Sequence, residues 1–225
     1  MLLDYDNLVK KYKMNVTGVI HIGGHHGSEY DIYNQYDSIQ HMLFFEPDED
    51  SYKVLVNKVG GDDRAICINK ALGPFKGKTS FFRSKDNSGQ SNSLMKPDLH
   101  ARQYPHIVFT EEIEIKIDPL DRYEPSKKFN LINIDVQGFE LNVFIGAKKT
   151  LKNIDYIICE VNRDELYENC ARVEEIDIYL GMYGFERKET SWDGVSWGDA
   201  FYVKSNYAFK GSEGQNKRVQ KKWQK

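Results

Sequence analysis

The stretch from Gly18 to Glu29, GVIHIGGHHGSE, constrains this chain more than any other. A short apolar run (Val19, Ile20, Ile22) breaks at Gly23-Gly24, passes His25 and His26, and turns at Gly27 into a polar, helix-like segment from Ser28. The pattern is a strand, a glycine turn and a helix. Glycine lets the backbone approach a ligand closely, and a helix start offers free N–H groups and the positive end of a dipole. In an open α/β sheet the crevice at the strand's carboxyl end is where cofactors bind. The spacing is not G-x-G-x-x-G, so the turn by itself fits a nucleotide-type site and a plain steric turn equally well.

The next segment of chain repeats the unit. HMLFFEPDED reads as a second strand, Met42 to Phe45, ending in Glu46-Pro47-Asp48, with Glu46 about 24 residues past the first strand. In a doubly wound sheet that acid lies beside the first glycine turn, where its carboxylate accepts hydrogen bonds from ribose hydroxyls. A helix from Glu49 to about Lys58, a strand from Ala65 to Asn69 and a turn at Lys70 to Gly73 come next. Successive βα units argue for a parallel sheet. TSFFRS (79–84) reads as an edge strand, and Glu112 to Ile117 alternates charge with isoleucine as a half-exposed strand does. Between them, residues 85–105 are polar and aperiodic, the profile of a lid or binding loop, in which Ser91-Asn92-Ser93 offers neutral hydrogen-bonding groups or forms a solvated turn.

A fourth unit, FNLINIDVQGFEL, places Asp135 at the tip of a buried strand, and a fifth, DYIICEVN, ends in Glu160 and Asn162. A helix around Val173 to Tyr183, a strand at Gly184 to Glu189 and a final hairpin-like strand from Gly198 to Val203 complete about seven strands. Ser28 is expected to cap a helix through about Tyr36, and residues 1–17 to form a short helix capping a single domain over 1–204. Beyond Ser205 the chain is a polar tail with Lys210, Lys217, Arg218, Lys221, Lys222 and Lys225, frayed or in contact with an anionic surface.

Composition narrows the partners. Lys plus Arg number 31 against 34 acidic residues, which gives no electrostatic case for nucleic acid. No run approaches the ~20 apolar residues of a membrane span, and the N-terminus lacks a signal-peptide core. The three cysteines form no C-x-x-C pair and suit reduced core thiols. The expectation is a cytoplasmic protein of undefined oligomeric state.

With Gly23-Gly24-x-x-Gly27, FFEPDED, NKALG, SNSL, NLINIDVQGFEL, CEVN and WGDAFYV in that order, the chain resembles the FkbM-type methyltransferases over roughly residues 17–204. The resemblance implies a class I methyltransferase (Rossmann-like) fold, α/β, with a doubly wound seven-stranded sheet and a reversed last strand. It implies S-adenosyl-L-methionine as cofactor and O-methylation of a sugar hydroxyl in a glycan or glycosylated metabolite. Gly23, Gly24 and Gly27 match the first cofactor turn, Glu46 the ribose acid, Ala71 and Leu72 the adenine segment, and Asp135 the acidic strand end; His21, Pro47 and Ser93 join the expected cofactor contacts. The chain departs from the commonest family pattern at His21, at His25-His26 and at Gln137, where many members carry Glu.

For the chemistry, Asp135 is the first candidate to accept a proton or orient the acceptor, with His25 and His26 as further candidates. Asp135, Glu160 and Asn162, with Asp199, are alternatively oxygen ligands for Mg²⁺. Trp192, Trp197 and Tyr202 form either a stacking wall for a sugar or part of the core. Glu29 and Glu140 are read as first-turn acids that favour a helix dipole. Two other classes stay open: a catalytically silent cofactor-binding module, and an NAD(P)-dependent oxidoreductase.

Overall fold

The computed structural model describes residues 1–84, 86–125 and 128–205. Seven strands build the main sheet: β1 (Gly18–Ile22), β2 (His41–Phe45), β3 (Ala65–Ile68), β7 (Leu131–Ile134), β8 (Tyr156–Asn162), β9 (Phe185–Trp192) and β10 (Trp197–Lys204). Their order is β3-β2-β1-β7-β8-β10-β9, and every strand is parallel except β10, which runs against both β8 and β9. The chain winds outward from β1 to β3 and then returns to place β7 on the other side of β1. The switch point between β1 and β7 opens a crevice at the carboxyl ends of both strands. This is the seven-stranded, doubly wound sheet with a reversed last strand that the sequence implies.

The central strands are buried on both faces, so they read as continuous apolar runs rather than as alternation. Val19, Met42, Phe44, Leu131 and Ile158 pack on one face against α1 (Tyr5–Tyr12), α2 (Tyr30–Tyr33) and α3 (Glu49–Val59). Ile20, Ile22, Phe45, Ile132 and Ile134 pack on the other against α5 (Glu140–Ile145) and α6 (Val173–Gly181). Asp48 starts α3 by accepting the N–H groups of Asp50 and Ser51 at 3.1 and 3.0 Å. Ser28 does not cap α2 as expected. Its hydroxyl donates to Glu29 at 2.8 Å, and the helix begins one residue later without a side-chain cap.

The segment 79–84 is not an edge of the main sheet. It belongs to β5 (Gly77–Ser84), which with β4 (Ala71–Leu72) and β6 (Phe109–Asp118) forms a separate three-stranded sheet in the order β4-β6-β5. Between β5 and β6 the loop carries α4 (Leu99–Gln103) and doubles back so that Ser93 bridges Phe82. Cys159 and Cys170 are buried, Cys67 is half-buried, and all three are free thiols. No described helix is long and apolar enough to cross a membrane. The Lys-rich tail of the sequence reading lies outside the described residues from 206 onward.

Candidate functional site

The carboxyl ends of β1, β2, β7, β8 and the facing end of β10 enclose a cavity of about 390 Å³, roofed by residues of the β5–β6 loop. That is within the usual size of a cofactor or substrate pocket.

At its β1–β2 end the backbone does most of the shaping. Gly23 lines the cavity at φ +85°, and a Cβ there would lie 1.8 Å from the Asp135 carbonyl oxygen, so only glycine fits. Gly24 and Gly27 have a different job. Their missing side chains let α3 close in, since a Cβ at Gly24 or Gly27 would meet Leu55 at 3.1 or 2.9 Å, and neither residue lines the cavity.

Glu46 emerges from β2 with one carboxylate oxygen accepting the His25 N–H at 2.7 Å and the other the Asp48 N–H at 2.8 Å. It is 5% exposed, and burial pushes its carboxyl up to about 7. Pro47, Ala71, Leu72 and Phe81 continue this wall. His21 is buried in the strand, stacks on Phe44 and meets the Tyr33 hydroxyl through Nδ1 at 3.0 Å; burial lowers its pKa, which keeps the ring neutral.

The two other histidines part company. His25 lines the cavity and its Nε2 donates to the Ser88 carbonyl at 2.8 Å, which fastens the loop tip over the site. His26 stacks on His25 at 3.8 Å but lines a separate recess with Asp48, Asp50 and Arg83, away from the main cavity. Ser93 is also displaced from its expected role. It is buried, and its hydroxyl donates to the Gln137 carbonyl at 2.7 Å instead of lining the cavity, whereas Ser91 does line it.

The β7–β10 end is acidic. Asp135 is exposed into the cavity, and Glu160 and Asp199 join it. Gln137 sits between the first two, its amide N–H₂ donating to Asp135 at 2.8 Å and to Glu160 at 2.5 Å, while its amide oxygen accepts the Tyr167 hydroxyl at 2.9 Å. Burial, then the neighbouring Asp135, raises the Glu160 carboxyl well above its ordinary value. Asp199 accepts the backbone N–H groups of Leu2 and Leu3, the latter at 3.3 Å.

Glu140, read from sequence as a dipole acid, has a larger part. It is 1% exposed, and one oxygen accepts the N–H groups of Val136 and Gly138 at 3.0 and 3.1 Å, folding the turn that presents Asp135 and Gln137.

The expected Mg²⁺ set does not assemble. A hydrogen-bond donor, the Gln137 amide, stands between Asp135 and Glu160 where a cation would have to bind, and Asn162 does not line the cavity. Among the described residues no group of three His, Cys, Asp or Glu is arranged to hold a metal ion. Of the three aromatic residues expected to form a wall, Trp197 alone lines the cavity. Trp192 lies under Arg163 at 3.9 Å, and Tyr202 is core, its hydroxyl donating to Asp177 at 2.9 Å. The sequence reading missed His100 and Tyr104 on the roof, and with them Gln137 and Tyr167 as a clamp.

Comparison with known proteins adds a family and a fold. The model of the methyltransferase FkbM domain matches residues 21–187. The 2-O-methyltransferase NoeI of Sinorhizobium fredii (strain NBRC 101917 / NGR234) is 27% identical over 158 residues, covering 67% of this chain and 65% of that relative, so the match spans less than two thirds of its length. Among solved structures, M. capricolum TrmK in complex with S-adenosyl-homocysteine aligns with a TM-score of 0.52 at 13% identity over 95% of this chain and 74% of that one. Streptococcus pneumoniae Sp1610 aligns with the same score and identity over 100% and 84%. At that identity these two likenesses speak for the fold alone.

Proposed function

The chain belongs to the methyltransferase FkbM domain family, and from that premise we propose that it is an S-adenosylmethionine-dependent O-methyltransferase acting on a sugar hydroxyl of a glycan or glycosylated metabolite. The observation that carries the cofactor half is the charge of the cavity. Glu29, Glu46, Asp135, Glu160 and Asp199 line it, and the one Lys or Arg among the described lining residues, Lys70, has its ammonium 3.2 Å from the Asp118 carboxylate. The N-terminal ammonium of Met1 also lines the chamber, 3.8 Å from Glu29, so the five acids outnumber the two cations and the balance favours a cationic ligand.

When bound, S-adenosylmethionine supplies an electrophilic methyl group on a sulfonium cation. The chain's residues do the rest. Both Glu46 oxygens are oriented by backbone N–H groups and keep lone pairs for ribose hydroxyls. Gly23 lets the main chain come within contact distance, and Ala71, Leu72 and Phe81 offer an apolar wall to the adenine. Asp135 would accept the proton of the acceptor hydroxyl, and Gln137 fixes the direction in which that carboxylate points. Alignment does most of the catalysis, since oriented reactants reach effective molarities of ~10⁵–10⁸ M. Transfer to oxygen is supported by the 2-O-methyltransferase relative, and a saccharide acceptor by the aromatic lining at Tyr104 and Trp197.

Thermal unfolding with S-adenosylmethionine, S-adenosylhomocysteine or NADPH, each with Mg²⁺ or with EDTA, tests the cofactor. Saturation at 100 times the Kd adds ~2.7 kcal/mol, a rise of several degrees. The expected result is a shift with both sulfur compounds, unaffected by EDTA. A shift with NADPH alone, or with none of the three, overturns the proposal.

A further inference from the structure

Buried side-chain polar atoms without a hydrogen-bond partner are few among the described residues: the Tyr5 hydroxyl, one oxygen each of Asp48, Asp118 and Glu189, Nδ1 of His100, Oε1 of Gln103 and both amide atoms of Asn162. The three carboxylate oxygens face cations, with Arg83, Arg122 and Lys11 at 2.7, 3.5 and 2.6 Å. Apart from Tyr5, the rest belong to one region. His100 and Gln103 are on α4, the His100 N–H donates to the Leu166 carbonyl at 2.9 Å, and the Gln103 amide donates to the Ser196 hydroxyl at 2.8 Å. Asn162 pairs in register with Trp197, next to Ser196.

Each such atom costs about 1–3 kcal/mol when it stays unpaired. Of the three residues that carry these four atoms, His100 is the one that lines the cavity, so it is the one a polar ligand there can meet. His100 gives that junction a face on the cavity, which it lines although it is 5% exposed. Its ring is held by Tyr104, Tyr167 and Phe109 at centroid distances of 5.1, 5.3 and 5.6 Å. Burial lowers its pKa, so the imidazole is neutral and has one donor and one acceptor nitrogen. Beside it the Trp197 indole N–H donates to the Tyr104 hydroxyl at 3.2 Å, which in turn donates to Asp193 at 3.1 Å, so both rings are fixed. A ligand with an apolar ring face and hydroxyls on its edge matches this wall, and a neutral saccharide is such a ligand.

Building on the methyltransferase reading, we propose that α4 is the acceptor seat, in which the His100 imidazole hydrogen-bonds a hydroxyl of a neutral sugar ring packed on Tyr104 and Trp197. His100 is then the residue that positions the acceptor relative to Asp135. The cofactor end does not depend on it.

The test is calorimetry on the full chain, first with S-adenosylhomocysteine and then, on the loaded protein, with methyl β-D-glucopyranoside and methyl α-L-rhamnopyranoside, alongside NMR of the ¹⁵N-labelled histidine rings. One of the glycosides is expected to bind and to move the His100 ring-nitrogen signals. His100→Ala and His100→Phe should weaken that glycoside about tenfold, the equivalent of one hydrogen bond, and leave S-adenosylhomocysteine binding unchanged, while His100→Gln recovers part of the loss. Equal glycoside binding by the variants overturns the seat, as does a loaded protein that ignores both glycosides or a bound glycoside that leaves the His100 signals in place. Should S-adenosylhomocysteine itself fail to bind, the cofactor reading falls instead, and the same titrations on the free protein still decide the role of His100.

Discussion

At the β1–β3 end of the cavity the key groups are held by near neighbours in the chain: Glu46 takes N–H groups from residues 2 and 21 positions away. At the β8–β10 end Gln103 reaches Ser196 across 93 positions and Tyr104 reaches Asp193 across 89. The first end is a backbone cradle, with glycine where a Cβ cannot go and a carboxylate aimed by main-chain amides. The second is a set of side chains gathered from the long β5–β6 loop and the β9–β10 turn. A cradle made of backbone tolerates little change, whereas a wall made of loop side chains can be altered one residue at a time without disturbing the sheet. The division suits a protein that keeps one cofactor and adapts to its acceptor.

Mutations at the two ends should have separable effects. Asp135→Asn keeps the shape of the strand end and removes the proposed proton acceptor, so methyl transfer should fall by about 10²–10⁴-fold while cofactor affinity stays within a few-fold. Turnover equal to wild type in a radiolabelled-methyl assay removes Asp135 from the chemistry. Glu46→Ala should do the opposite and weaken the cofactor about a hundredfold, the loss of two charge-assisted hydrogen bonds to ribose at ~1.5 kcal/mol or more each.

The same carboxyl gives a pH signature. Glu46 keeps its proton up to about 7 in the folded protein and loses it near 4.5 when unfolded. Between those values the native state binds more protons, so stability of the free protein falls as pH rises through the window, by on the order of 3 kcal/mol from this group. Cofactor affinity should rise over the same window, because ribose hydroxyls donate to the ionised form. Urea unfolding of Glu46→Gln across pH should show a shallower fall than wild type; an identical slope would show that Glu46 does not titrate there. Ser93→Ala is the smallest effect, about 1 kcal/mol of stability from one hydroxyl bond between loop and turn. The same substitution should lower turnover more than cofactor affinity.

The legible part of the site follows this division. Gly23, Glu46 and Asp135 each stand at the end of an apolar run, and strand-end position in a parallel sheet is readable from periodicity. The direction of a side chain is harder. Gly24 and Gly27 look like ligand-facing glycines in sequence but admit Leu55 of α3, and Ser93 looks like a ligand contact but holds a turn. His100 carries no local signal at all, because its environment comes from Leu166, Tyr167 and Phe109, brought in by two different segments. The second sheet was missed for a related reason. The alternation of Ile113, Ile115 and Ile117 says that β6 is covered on one face and does not say by which sheet.

The Ser93 bond has one more consequence. Gln137 is held at φ 55°, a conformation that side chains adopt rarely, with its carbonyl tied to Ser93 and its amide clamping two carboxylates. The loop that covers the chamber and the turn that carries Asp135 and Gln137 therefore share one fastening. Lifting the Ser93 corner of the loop unties the carbonyl that helps keep Gln137 in place, and the carboxylates lose their common guide. A displacement at Ser93 is therefore expected to be felt at Asp135, on the far side of the turn, as a loss of direction rather than of shape.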